Sequence, residues 1–269
     1  MTFHNTMPAQ SSYRKVLVEG IWKRNQVEVK VIQSSWAPTQ KQLDFVENEW
    51  KQRPGGVYNG PLWRFERVVK QDERVSIEVS KCSYKWHFIL RQQHYQAANM
   101  YPNPTSVTSL IVTTDQKIVL GVRKGSDQGG MLHTVGGGFV DPKLVAVENQ
   151  HNQWKAVPEC LFETSAREIA EETSLTEGED YSKEDFRMLG IVWGGNHDTS
   201  CVMYAPVNVS STEVAIRGKE HSYLFFPSID DDTLSSIVEN NGLPIAEDID
   251  ATDHMVLAIS LLRKYLNSI

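Results

Sequence analysis

Residues 159–175 constrain the fold more than any other part of the chain, because their apolar side chains recur at helical spacing throughout. Pro158 precedes them, and a proline suits the first turn of a helix. At about 3.6 residues per turn, the apolar positions form one stripe that we expect to be buried, made of Phe162, Ala166, Ile169 and Thr173. The sequence therefore predicts one amphipathic helix here.

The same periodicity gathers three carboxylates, Glu168, Glu171 and Glu172, on a different face of this helix. Like charges at these spacings repel by roughly a few tenths of a kcal/mol per pair, so the cluster adds nothing to helix stability. A divalent cation would remove that repulsion. On the helix alone, a metal site and a solvated acidic face both remain open.

Two further features accompany the acidic helix. Residues 135–139 read Val-Gly-Gly-Gly-Phe, and Glu159 stands eight residues before Arg167. Residues 167–175 then read Arg-Glu-Ile-Ala-Glu-Glu-Thr-Ser-Leu. A glycine turn followed by a glutamate and then by this arginine and glutamate pattern resembles the Nudix box.

The resemblance implies that helix glutamates hold Mg²⁺, or Mn²⁺ in its place, against a substrate diphosphate. Carboxylates suit Mg²⁺, which prefers hard oxygen ligands. The residues to which the resemblance assigns metal binding and catalysis are Glu168, Glu171 and Glu172. It assigns substrate binding to Gly137 and Gly138, and support of the glutamates to Glu159 and Arg167.

The chain departs from the family pattern in two places. Ser174 stands where the family has glycine, so we expect the helix to end with a residue in the left-handed region at some energetic cost. An insertion also separates Gly138 from Glu159. Residues 143–155 within it are polar and weakly periodic, which predicts an exposed, mobile loop whose deletion would cost little stability.

A broader likeness extends beyond the motif. Residues 58–64, 189–191 and 219–221 are similar to the eukaryotic Nudix subgroup that hydrolyses UDP-glucose and UDP-galactose. That likeness implies an N-terminal β-rich domain packed on a Nudix domain, with the substrate near their junction. In this subgroup the helix keeps the equivalents of Glu168 and Glu172 as metal ligands.

Residues outside the helix complete the candidate site. Glu220 precedes an apolar strand and is the first candidate for a general base, with an ordinary loop carboxylate as the alternative. His197, Asp198 and His221 are reserves in neighbouring loops. Arg123 ends a predicted strand, where a guanidinium suits a phosphate, although a surface arginine explains it equally well.

The chain is predicted to be α+β, with an α/β/α Nudix sandwich around a mixed sheet and a smaller β-rich domain before it. Residues 16–22 and 27–32 predict a β-hairpin, and residues 38–52 predict the one helix of the first domain. Two prolines near residue 102 mark the boundary between a domain at 1–101 and a domain at 102–269.

The composition of the chain limits the classes of partner that it is expected to bind. A net charge of −7 and a pI near 5.6 argue against non-specific nucleic-acid or membrane binding, which needs excess Lys and Arg. The three cysteines show no paired spacing, and no signal sequence or membrane helix is evident, so we expect a cytoplasmic protein.

Three functions compete at this stage. The first is metal-dependent hydrolysis of a UDP-sugar to UMP and a sugar 1-phosphate. The second is the same chemistry on ADP-ribose or another nucleoside diphosphate compound, and it uses the same residues. The third is a non-catalytic Nudix module that binds a nucleotide.

Overall fold

The computed structural model describes residues 14–53, 58–92, 101–125, 128–146, 154–195, 197–215, 221–246 and 248–269. The strands are β1 (Lys15–Trp22), β2 (Val27–Val31), β3 (Pro61–Gln71), β4 (Arg74–Ser83), β5 (Thr105–Val112), β6 (Leu120–Arg123), β7 (Leu132–Thr134), β8 (Gly138–Phe139), β9 (Pro142–Ala146), β10 (Trp154–Pro158), β11 (Arg187–Trp193), β12 (Thr199–Pro206) and β13 (His221–Phe225). The helices are α1 (Gln40–Gln52), α2 (Tyr84–Gln92), α3 (Leu161–Glu172), α4 (Asp231–Glu239) and α5 (Asp253–Leu266).

A five-stranded mixed sheet, in the order β1-β11-β12-β5-β8, lies at the centre of the described chain. The β5 and β12 strands pair in parallel, and the other neighbours are antiparallel. Every residue of β5 is buried, because both faces of the sheet are covered. Val107 and Ile111 enter one core cluster, whereas Leu110 and Val112 enter the other, as the alternation of a strand requires.

Helices cover the two faces of this sheet. The α3 helix packs on the face of Val107 through Phe162, Ala166 and Ile169, and the α5 helix packs on the opposite face through residues such as Ile259. The predicted α+β class, with an α/β/α sandwich around a mixed sheet, is confirmed. The predicted buried stripe of the acidic helix is also confirmed, since its members are at most 5% exposed.

The predicted hairpin of residues 16–22 and 27–32 is wrong. The β1 strand pairs with β11 in the central sheet, and β2 instead pairs in parallel with β4 in a separate sheet of order β2-β4-β3. A short 3₁₀ turn at Arg24–Gln26 redirects the chain between them. In this position β1 covers the edge of β11, and its own Trp22 becomes buried. A local hairpin with β2 would provide neither.

The predicted loop at residues 143–155 is wrong in its described part. The β9 and β10 strands form an antiparallel pair that extends from the pairing of Ala146 with Trp154 to that of Pro142 with Pro158. Ala156 packs against the core cluster that contains α3. Pairing of the two strands satisfies their backbone hydrogen bonds. It does not need the periodic apolar pattern whose absence led us to predict a loop. Residues 147–153 lie outside the described part.

The predicted boundary between residues 101 and 102 stays a prediction. At this point the chain is held by the Phe65 N–H, which donates to the Asn103 carbonyl at 2.8 Å, and by a bridge between Arg64 and Pro104. Before it, the described residues form two helices, α1 and α2, where the sequence analysis predicted one. Among the described residues, no helix is long and apolar enough to cross a membrane.

Candidate functional site

The α3 helix carries the predicted carboxylates, and hydrogen bonds fix the chain where this helix ends. It begins after Cys160 and ends at Glu172, with Thr173 extended at φ −121° and ψ 177°. The Thr173 hydroxyl donates to the Ile169 carbonyl at 2.6 Å, while the Ser174 N–H donates to the Ala215 carbonyl at 3.2 Å.

The expectation that Ser174 requires a left-handed end is wrong. Ser174 is not among the described non-glycine residues with positive φ. The chain leaves the helix in an extended conformation at Thr173, so a glycine is not needed there. The departure from the family pattern therefore carries no backbone strain.

The glycine segment lies directly against the helix glutamates. Gly136 has φ +82°, and its N–H donates to Oε2 of Glu172 at 2.6 Å. A Cβ atom on Gly138 would overlap the carboxylate of Glu168. Glu168 and Glu172 lie one helical turn apart, so both carboxylates lie against the same three-residue segment.

The other glycine of the segment supports this placement. A Cβ atom on Gly137 would lie 3.1 Å from the Val107 carbonyl oxygen, so the segment runs close over β5. The Ser109 hydroxyl on the same strand donates to the Gly136 carbonyl and lies 2.8 Å from the Ser165 hydroxyl on α3. This buried contact ties sheet, glycine segment and helix together.

Arg167 is the centre of an ion-pair network. Its guanidinium lies 2.8 Å from Oε1 of Glu168, 3.2 Å from Oε2 of Glu159, 3.3 Å from Asp141 and 3.5 Å from Glu171. Burial alone lowers the pKa of Arg167, but the carboxylates of Glu168, Glu159 and Asp141 outweigh burial and raise it above its usual value. The cation therefore balances the charge of carboxylates that would otherwise repel one another.

The predicted residues differ in how closely they approach the glycine segment. The Glu172 side chain is 7% exposed and that of Glu168 is 14% exposed, whereas Glu171 is 59% exposed and lies 3.5 Å from Arg167. Arg123 ends β6 directly opposite His221. Glu220 lies outside the described residues.

Binding of Mg²⁺ depends on the oxygen donors that the described side chains offer. Within the described ranges, no three His, Cys, Asp or Glu groups lie close enough together to hold a metal. Mg²⁺ is usually bound by one or two carboxylates, with water and substrate phosphates as its other ligands. Glu168 and Glu172 provide two hard oxygen donors beside a segment without side chains, so the residues fit that mode of binding.

Of the three reserve residues, one reaches the carboxylates. His221 is buried, and its Nδ1 atom lies 3.8 Å from Oε2 of Glu172. His197 instead stacks on Tyr101, with ring centroids 3.4 Å apart, and Asp198 lies 3.4 Å from the Nε2 atom of His254. The sequence feature that indicated His221 as a site residue was its position at the start of an apolar strand.

Sequence reasoning missed the contact of α2 with the glycine segment. The rings of His87 and Phe139 meet edge to face with centroids 5.3 Å apart, and Tyr84 approaches Phe139 at 6.3 Å. Phe139 directly follows Gly138, and its carbonyl accepts from Arg167 at 3.5 Å. Residues before the predicted boundary therefore border the candidate site.

No known family profile matches the sequence, and no curated protein matches it. Solved structures that resemble it include a C. elegans Ap4A hydrolase, at 12% identity and a TM-score of 0.36, where the match covers 61% of this chain and 98% of that chain. The NUDIX domain of Shewanella oneidensis NrtR complexed with ADP ribose is similar at 20% identity and a TM-score of 0.37, with 60% and 87% covered. A MutT protein from Methanosarcina mazei Go1 is similar at 18% identity and a TM-score of 0.36, with 60% and 94% covered.

Proposed function

We propose that this protein is a metal-dependent hydrolase that cuts the diphosphate link of a nucleoside diphosphate compound. We further propose that the substrate is a UDP-sugar, which would yield UMP and a sugar 1-phosphate. The observation that carries the proposal is the placement of the Glu168 and Glu172 carboxylates against the bare backbone of residues 136–138.

This geometry suits a diphosphate because it brings two carboxylates to one short stretch of backbone, where the absence of a side chain at Gly138 leaves room for the Glu168 carboxylate. When bound, Mg²⁺ neutralises phosphate charge and lowers the pKa of a bound water, which makes phosphoanhydride hydrolysis accessible near neutral pH. Glu168 and Glu172 would hold the metal, and Glu171 would be a further carboxylate ligand.

Other residues hold or extend this arrangement. Arg167 and Glu159 orient the helix carboxylates through the ion-pair network that they share. Arg123, opposite His221 at the end of β6, would bind a phosphate. Glu220 remains our candidate for the general base on the basis of sequence alone.

The enzyme is proposed to act in the cytoplasm. Cys82, Cys160 and Cys201 are free thiols, as expected in a reducing compartment. Burial raises the pKa of the Cys82 and Cys201 thiols to about 12, so both are unreactive structural residues.

A hydrolysis screen tests the proposal. The purified chain is incubated with Mg²⁺ and UDP-glucose, UDP-galactose, ADP-ribose, diadenosine polyphosphates or coenzyme A, and product phosphate is released by a coupled phosphatase. A parallel series with chelator measures metal dependence, and Glu172→Gln is compared with the exposed control Glu179→Gln.

Each outcome selects one function. Turnover of UDP-sugars alone supports the full proposal, and better turnover of ADP-ribose supports the same chemistry with the second substrate class. Turnover of no compound, together with nucleotide binding, would favour the non-catalytic module. Equal loss of activity in both glutamine variants would remove Glu172 from the site.

A further inference from the structure

His221 contacts the carboxylate that the proposed function needs most. Its Nδ1 atom lies 3.8 Å from Oε2 of Glu172, which is the oxygen that accepts the Gly136 N–H at 2.6 Å. Both side chains are at most 7% exposed. One oxygen of Glu172 is therefore enclosed by a backbone donor from the glycine segment and by an imidazole from β13.

The imidazole is itself seated on a glycine. A Cβ atom on Gly121 in β6 would lie 2.5 Å from Cδ2 and 2.9 Å from Cγ of His221, and 3.1 Å from a methyl group of Val135. Real Cβ atoms essentially never come as close as the two distances to the ring, so the imidazole occupies the space that any side chain at position 121 would fill. The position of the ring is thus determined by β6 as well as by its own strand.

We propose that His221 is a positioning residue that acts through Glu172, holding its carboxylate in the orientation that binds the metal. This inference rests on the proposed function. At 3.8 Å the contact is too long for a hydrogen bond, so the ring restricts the carboxylate by occupying the space beside it. Loss of a group that orients a metal ligand typically lowers metal affinity by about 10- to 100-fold.

The first pair of variants tests the ring directly. His221→Ala removes it, and His221→Asn keeps side-chain atoms near the positions of Cγ and Nδ1, next to the carboxylate. We expect His221→Ala to raise the Mg²⁺ concentration for half-maximal hydrolysis by about 10- to 100-fold, with a smaller effect on the rate at saturating Mg²⁺. His221→Asn should recover a large part of the metal affinity.

The second pair uses the glycine seat. Gly121→Ala should displace the ring and raise the metal requirement in the same direction, although the imidazole is still present. In the double variant with His221→Ala, the methyl group of Gly121→Ala meets no imidazole ring. It should therefore change the metal requirement little. This non-additivity is the mark of two residues acting through one contact. Gly242→Ala, whose Cβ atom would make only ordinary contacts, is the matched control.

A second measurement does not depend on turnover. Mn²⁺ or Mg²⁺ that binds only the folded protein raises the melting temperature, and the shift grows with affinity. We expect wild type and His221→Asn to show the shift without substrate, and His221→Ala and Gly121→Ala to need about 10-fold or more additional metal for the same shift.

The outcomes separate the two proposals. A metal-dependent shift that is lost in His221→Ala, without hydrolysis of any substrate by wild type, would contradict the hydrolase and support the positioning residue. Equal metal requirements in wild type and His221→Ala would overturn the inference while leaving the hydrolase intact. If His221→Ala lowered the melting temperature in chelator without changing the metal requirement, His221 would contribute to packing alone. That result would also overturn the inference. No metal-dependent shift in wild type would overturn both.

Discussion

Gly138 lies so close to the carboxylate of Glu168 that the space for a glycine Cβ atom is already occupied by the glutamate oxygens. Gly138 belongs to β8 at the edge of the central sheet, and Glu168 belongs to α3, which covers that sheet. The absence of a side chain at position 138 therefore allows the carboxylate its observed place.

Gly138→Ala should disturb the site more than the fold. The added methyl group meets the far end of a flexible side chain, so Glu168 can rotate away while the backbone stays in place. We expect hydrolysis to fall by about 10- to 100-fold, as happens when a catalytic group is misplaced by about 1 Å. The rate is measured at saturating Mg²⁺, together with the melting temperature.

Gly242→Ala serves as the control for Gly138→Ala, because its Cβ atom would meet no atom closer than 3.7 Å. The control should keep its rate. A Gly138→Ala variant with the rate of wild type would show that the position of Glu168 is irrelevant to turnover.

Glu172→Gln tests the more buried carboxylate. Glutamine keeps the shape and an oxygen that can accept the Gly136 N–H, but it removes the charge. We expect weaker Mg²⁺ binding and a rate loss of roughly 100-fold or more, the scale seen when electrostatic stabilisation is damaged. The melting temperature in chelator should not fall, since a buried negative charge has been removed. Turnover close to wild type at saturating Mg²⁺ would argue that Glu172 is not a ligand.

The acidic helix was predictable because its information is local. The buried stripe of α3 and the neighbouring glutamates follow from helical periodicity, whatever the rest of the chain does. The α2 helix also carried such a signal, since Trp86, Ile89 and Leu90 are buried at helical spacing, but it directly follows an alternating strand.

The parts that were not predictable depend on distant partners. The β1 strand pairs with β11, more than 150 residues away, and the apolar residues of β1 do not indicate which strand it joins. The enclosure of Glu172 by His221 likewise results from the pairing of β13 with β6. Sequence motifs identified the carboxylates, whereas the groups that hold them come from tertiary structure.

His87 predicts a sensitivity to acid. Burial, and then the charges of Arg91, His197 and His254, lower the pKa of His87 well below its usual value, so it is neutral in the folded protein. The unfolded chain, with a pKa of about 6.5, binds the proton first as the pH falls. Stability is therefore lost progressively below about pH 6.5, by at most about 2 kcal/mol at pH 5 for one such residue.

Replacing His87 with Phe should flatten this dependence. Urea unfolding at pH 7.5 and pH 5 would measure the free energy of unfolding, and the loss on acidification should be smaller in His87→Phe than in wild type, by up to about 2 kcal/mol. Tyr84→Phe, a change in the same helix without loss of an imidazole, should keep the slope of wild type. Identical slopes in all three proteins would mean that His87 is protonated in the folded state.

Removal of residues before Asn103 should damage the fold, although all the proposed metal ligands lie after that point. The shortened chain would leave the β11 edge unpaired and uncover the apolar surface that Trp22, Trp63 and Phe65 bury. We expect aggregation, measured by size-exclusion chromatography and light scattering. A soluble truncation with the kinetics of the full chain would show instead that residues 1–101 build neither the core nor the site.

Substitutions at two adjacent residues of β1 test the contribution of this strand to the core without shortening the chain. Trp22 is 2% exposed and packs into the core cluster that contains α3, whereas Ile21 is 48% exposed on the other face of the strand. Trp22→Ala should lower the free energy of unfolding by about 3 to 5 kcal/mol through lost burial and the cavity that remains. Ile21→Ala should change it by about 0.5 kcal/mol or less. If denaturant unfolding gave equal losses for the two variants, β1 would not be part of the core, and the N-terminal segment would have to fold independently of the central sheet.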